Sequence, residues 1–232
     1  RSRCCNRPFS IRYPTIELLT ALLFLASWAL LPPSIALVGM LFSSILICAT
    51  FIDLDHMIIP DRFTIGAAGG GVIVSLLVPA LHVNPSGYPM VDVMRSGLAS
   101  ILGLLIGSGI ILWIALMAEV ILRKEAMGFG DVKFLGAIGS FVGWKGAIFS
   151  IFGGAVIGTF AVAIVLVIEN LRKRDSKSPP QSTNAAEKPE PRAVFGRQTP
   201  FGPMLAGGGL LYFLVLRPYV DAYFANIRDL FR

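Results

Sequence analysis

Ala126-Met127-Gly128-Phe129-Gly130-Asp131-Val132-Lys133 puts one carboxylate behind two glycines and directly before an apolar run from Val132 to Trp144. A charge at the centre of a bilayer costs about 3 kcal/mol or more, so an ionisable group at the boundary of such a run asks for a function. A second acidic stretch, Asp53-Leu54-Asp55-His56-Met57-Ile58-Ile59-Pro60-Asp61, closes another apolar run upstream. The fold follows from what lies on either side of these two boundaries.

Apolar residues make up 55% of the 232 residues and charged residues 15%, with a mean hydropathy of +0.73. A soluble domain carries about a quarter charged residues. The expected fold is therefore all-α: a polytopic integral membrane helix bundle in contact with the lipid bilayer, with seven membrane segments. The apolar runs cover residues 17–31, 35–52, 63–81, 96–122, 132–144, 147–168 and 202–216. A spanning helix needs about 20 apolar residues, so the run from Val132 to Trp144 is short and has to be tilted, re-entrant or buried in the bundle. Gly66, Gly69, Gly70 and Gly71, and later Gly153, Gly154 and Gly158, are expected at close helix contacts.

Alternating these segments places fifteen of the twenty Lys and Arg residues on one side, which makes that side cytoplasmic. The net charge of +6 then reflects topology and calls for no nucleic acid. Three regions are expected: a basic N-terminal portion over 1–14, a membrane domain over 15–218 and a tail over 219–232. The 171–199 segment is polar and proline-rich, with no apolar periodicity, and reads as a flexible cytoplasmic linker. The chain starts at Arg1 without a methionine or a signal peptide, so a preceding portion is expected. Three cysteines give no disulfide framework, and the adjacent pair Cys4 and Cys5 lacks the usual spacing of zinc ligands.

Between Asp53 and Asp131 the chain crosses the membrane twice, so both carboxylates return to the cytoplasmic edge although 78 residues separate them. Two carboxylates held close share a proton and titrate as a unit. The ionised member can deprotonate a water while the protonated one donates to a peptide carbonyl. Gly128 and Gly130 leave room for a substrate strand and free the backbone for unusual angles. Standing alone, Asp131 would be an ordinary helix N-cap, and Asp61 after Pro60 is expected to be one. Asp55 should face elsewhere on its helix, toward water, and ranks behind Asp53. His56 at an interface is expected to be neither ligand nor proton carrier. Asp53-Leu54-Asp55 alone also fits a grip on a divalent cation and a phosphate.

Gly128-Phe129-Gly130-Asp131 is the GxGD motif of membrane aspartic proteases. With Glu125-Ala126-Met127 before it and Val132-Lys133 after it, the stretch resembles the bacterial type IV prepilin peptidase family. Ile52 to Asp61 resembles that family's first catalytic stretch. Arg12-Tyr13-Pro14 with Glu17-Leu18-Leu19-Thr20-Ala21 resembles its entry into an early span, and Pro200-Phe201-Gly202-Pro203 the start of its last one. The resemblance implies an aspartic endopeptidase of the bacterial inner membrane that uses Asp53 and Asp131. Gly128, Gly130, Asp55 and Lys133 support them. Its partners would be prepilins and the pseudopilins of type II secretion, and it would cut their basic leaders at the cytoplasmic face.

Many members of that family also methylate the new N-terminus, using S-adenosylmethionine and a cytoplasmic domain with two Cys-x-x-Cys pairs. Here the last pair falls on Ser2 and Cys5, so Cys5 reads as the remnant of a zinc site, and 1–14 as the remnant of that domain. Zinc and S-adenosylmethionine are expected only with a complete domain of that kind, and the peptidase reaction calls for no cofactor. Two other classes compete. A transporter or channel would use the aspartates as an ion relay, and a metal-dependent phosphotransferase would use Asp53-Leu54-Asp55.

Overall fold

A computed structural model describes residues 11–123, 128–175 and 201–230. Among them there are helices and no strands. In chain order these are α1 (Arg12–Leu30), α2 (Pro33–His56), α3 (Asp61–Leu77), a short turn of helix at Pro79–Leu81, α4 (Pro89–Leu122), α5 (Phe129–Asp175), α6 (Gly202–Leu211) and α7 (Arg217–Leu230). A wider helical turn, Tyr212–Leu216, joins α6 to α7 without a break in the helical path. Five stretches are long and apolar enough to cross a membrane. With 17 residues, α3 falls just short of that length. The architecture is a polytopic helical membrane bundle, as its composition requires.

The short run resolves into one arm of a hairpin. Within α5, Gly143 has φ 73° and ψ 177°, a left-handed conformation that glycine adopts without strain. A Cβ on Gly107 would touch both the Leu135 carbonyl and Ala147, and one on Gly209 would touch both Ile138 and Ser150. A straight helix would hold partners twelve residues apart about 18 Å from each other. The chain therefore reverses at Gly143, and the arms 129–142 and 144–175 run antiparallel. In the first arm Phe134, Leu135, Ile138 and Phe141 are all buried, as expected of a helix that is apolar all round. Phe42 of α2 anchors the core, with ring centroids 5.0 Å from Phe141 and 5.3 Å from Phe213. Lipid-facing apolar residues such as Leu22, Trp113 and Phe160 stay exposed.

The glycines divide in a way that differs from expectation. Gly66, Gly69 and Gly70 have nothing within reach of a Cβ, and of that group only Gly71 packs, against Ser140. Gly153, Gly154 and Gly158 do meet α6, at Gly208 and Met204. The tightest approach to backbone was not singled out: a Cβ on Gly103 would lie 2.1 Å from the Gly139 carbonyl oxygen, so α4 and the buried arm touch backbone to backbone.

At the Gly143 end of the arm, His82 Nε2 lies 3.0 Å from Ser75 Oγ and 3.3 Å from the Ser140 carbonyl. Lys145 pairs with Asp221 at 2.9 Å, and Arg217 donates to the Leu81 carbonyl. A cavity of about 270 Å³ opens beside these groups. Burial, and then the nearby Arg217 charge, push the His82 pKa down to about 4. The linker expected over 171–199 lies outside the described residues from 176 onward, and Cys4 and Cys5 lie outside them altogether. Helix α7 carries the chain on to Leu230, into the expected tail.

Candidate active site

Helix α2 does not stop where its apolar run stops. It continues through Asp53 and Asp55 to His56 and ends at Met57, whose left-handed backbone (φ 54°) returns its N–H to the Asp53 carbonyl at 2.8 Å. Asp53 thus sits in the last turn of α2 and is 5% exposed. Ile58-Ile59-Pro60 then leads into α3, with Ile59 turned inward and 5% exposed. Asp131 is the third residue of α5, and its N–H donates to the Gly128 carbonyl at 3.1 Å. The backbone of Gly130 runs against Ile59, whose Cβ would lie 3.7 Å from a Cβ placed there. The ends of α2 and α5 therefore meet across Ile59, and Asp131 lies within range of the Asp53 charge.

Neither Gly128 nor Gly130 has a positive φ. The expectation of unusual backbone angles at these glycines does not hold. What they provide is space: Gly128 is open, and Gly130 leaves only ordinary contact distances around it.

Asp55 and Asp61, the other acidic residues of the first stretch, have basic partners of their own. Asp55 does not face water alone. Its two oxygens accept from Arg12 Nη1 and Nη2 at 2.7 Å each, and the Arg12 guanidinium also lies 5.2 Å from the centre of the Phe51 ring. This contact ties α1 to the end of α2. Asp55 and Asp53 consequently diverge, so they do not form the joint cation grip that a D-x-D pair allows. Asp61 is not an N-cap, because Pro60 occupies that position and Asp61 is the first residue of α3. Its carboxylate accepts from Lys133 Nζ at 2.7 Å, and the same ammonium lies 5.2 Å from the Phe129 ring centre. Lys133 therefore links the first turn of α5 to the start of α3. His56 is exposed at the end of α2. Among the described residues, no three His, Cys, Asp or Glu side chains converge on a metal position.

Two participants were missed by sequence reasoning, Ile59 and Gly202. Gly202 begins α6 and is buried, and a Cβ on it would lie 2.5 Å from Asp53 Oδ2 and 3.2 Å from Ile59 Cδ1. A glycine–proline pair at the head of an apolar run was the available signal.

Residues 40–163 match the model of the type IV leader peptidase family. The prepilin leader peptidase/N-methyltransferase of Aeromonas hydrophila is 32% identical over 92% of this chain and 62% of its own length. The type 4 prepilin-like proteins leader peptide-processing enzyme of Escherichia coli O78:H11 is 40% identical over 62% of this chain and 49% of its own length. A prepilin leader peptidase/N-methyltransferase of Neisseria gonorrhoeae is 31% identical over 72% and 54%. The chain spans about three fifths of the Aeromonas relative. No solved structure matches it.

Proposed function

Since this chain belongs to the type IV leader peptidase family, we propose that it is an aspartic endopeptidase with Asp53 and Asp131 as its reacting pair. The observation that supports this is that the end of α2 bearing Asp53 and the start of α5 bearing Asp131, 78 residues apart in sequence, meet across Ile59. One carboxylate takes a proton from water as its oxygen adds to the scissile carbonyl carbon, while the other, protonated, donates to the carbonyl oxygen. Collapse of the tetrahedral intermediate breaks the C–N bond, and the leaving amine takes up the proton. Gly128 and Gly130 leave the adjoining surface open for an extended substrate segment.

The relatives' names point to prepilins and type 4 prepilin-like proteins, a class to which pseudopilins would be added as substrates, and the excess of Lys and Arg on the same side as the aspartates favours cutting of a basic leader at the cytoplasmic face of the bacterial inner membrane. Several of these names add an N-methyltransferase. The described residues supply no donor set for zinc, and hydrolysis by the carboxylate pair takes water as its only co-substrate. Methylation with S-adenosylmethionine would belong to a complete N-terminal domain.

The test is cleavage of a generic prepilin in membranes carrying the parent, Asp53→Asn or Asp131→Asn. Asparagine keeps the shape and removes the titratable group, so each change alone is expected to abolish cutting at unchanged protein level. Cutting at the parent rate by either variant would refute the pair.

A further inference from the structure

The reacting carboxylate of Asp53 has an orphaned atom. Its Oδ2 is fully buried and makes no hydrogen bond among the described residues. A buried polar oxygen without a partner costs about 1–3 kcal/mol, so its surroundings need an account.

The account lies in the first turn of α6. A helix N-terminus ordinarily leaves several N–H groups without an intrahelical acceptor. Here Pro203 has no N–H. Met204 N–H and Leu205 N–H both donate to the Phe201 carbonyl at 3.1 Å. The N–H of Gly202, the first residue of the turn, is turned toward the Asp53 carboxylate. The carboxylate and this first turn therefore meet at the α2–α6 contact, with Oδ2 against the side of Gly202 that carries no side chain.

The geometry also explains the residue type. A Cβ at 202 would lie 2.5 Å from Asp53 Oδ2 and 3.2 Å from Asp53 Cγ. Any side chain there would force the carboxylate out of its present position. Gly202 has no positive φ, so conformational freedom is not the reason for glycine.

We propose that Gly202 is a positioning residue for the peptidase reaction, its main-chain N–H and its missing side chain together fixing the orientation of the Asp53 carboxylate opposite Asp131. Phe201-Gly202-Pro203 is then a third element of the active site beside the two acidic stretches. The inference rests on the carboxylate-pair reading above.

The experiment measures kcat and KM for cleavage of a generic prepilin by purified parent, Asp53→Asn, Gly202→Ala and Gly207→Ala. Gly207 lies on the same helix, and a Cβ there meets only the end of the Ile157 side chain, at 3.1 Å. Gly202→Ala is expected to lose about tenfold or more in kcat with KM within about twofold, and to move the pH profile of kcat, while Gly207→Ala matches the parent. The double change Ile59→Ala with Gly202→Ala relieves the apolar contact but not the one to Asp53. It is expected to remain slow at normal protein level.

Parent-like kcat in Gly202→Ala, recovery in the double variant, or slow cutting with an unmoved pH profile would each overturn the positioning role while leaving the pair intact. If Asp53→Asn cuts normally, the pair fails and this inference fails with it.

Discussion

Replacing Gly103 with alanine tests the backbone contact that seats the buried arm. The new Cβ would lie 2.1 Å from the Gly139 carbonyl oxygen and 2.8 Å from the Gly143 Cα. Carbon and oxygen come no closer than about 3.3 Å in tight helix contacts, so the arm has to move by about 1 Å. Overpacking a filled interior costs about 1–3 kcal/mol, and the upper end applies here because both obstructing groups are backbone. Asp131 lies eight residues along the arm from Gly139, on a helix too short to absorb the shift by bending. A displacement of about 1 Å at a reacting group costs about a hundredfold in rate. Gly103→Ala is therefore expected to lower thermal stability in detergent and to cut a prepilin about a hundredfold more slowly. Gly109→Ala on the same helix meets nothing within 4 Å and should match or slightly exceed parent stability. Equal melting temperatures and cutting rates for Gly103→Ala and Gly109→Ala would refute the close approach.

Two other predictions bear on groups outside the carboxylate pair. Because Asp55 is engaged by Arg12 and turned from Asp131, Asp55→Asn should keep cutting within about fivefold of the parent in the membrane assay, since exposed ion pairs contribute little. A loss as deep as that of Asp53→Asn would show that Asp55 belongs to the reacting group. His82 has a folded pKa of about 4 against 6.5 unfolded. Between those values the unfolded chain binds more protons, so stability is full above about pH 6.5 and falls as the pH drops toward 4. Thermal unfolding in detergent should show this decline, by up to about 3 kcal/mol, and His82→Gln should flatten it. An identical pH dependence in that variant would place the titrating group elsewhere.

That Asp53 and Asp131 share one edge of the bundle was legible as parity, a matter of counting the apolar runs between them, whereas their approach depends on tertiary packing that parity permits without requiring. The reversal at Gly143 was not legible. It depends on the sign of φ at one glycine among 24, and only the shortness of the run from Val132 to Trp144 hinted at it. Local rules also misplaced Asp61. An aspartate beside a helix start is a reasonable cap, but its partner Lys133 lies 72 residues away. The same holds for Arg12 and Asp55, 43 residues apart. Gly66, Gly69 and Gly70 looked like packing positions because spacing shows that a face exists, not which neighbour it meets. Gly202 was read only as part of the start of the last span, because its contact with Asp53 depends on an atom it lacks.

The reversal at Gly143 also bears on the lipid. The buried arm has 14 residues before the turn, a rise of about 21 Å, whereas the hydrocarbon layer is about 30 Å thick. The hairpin thus ends well short of the far headgroups. His82, Lys145, Arg217 and Asp221 gather at that end of the arm beside their cavity, a set of polar groups suited to water or headgroups and not to acyl chains. A thicker membrane would have to adjust to this short arm on one flank. Acyl-chain length then acts on the same arm that carries Asp131.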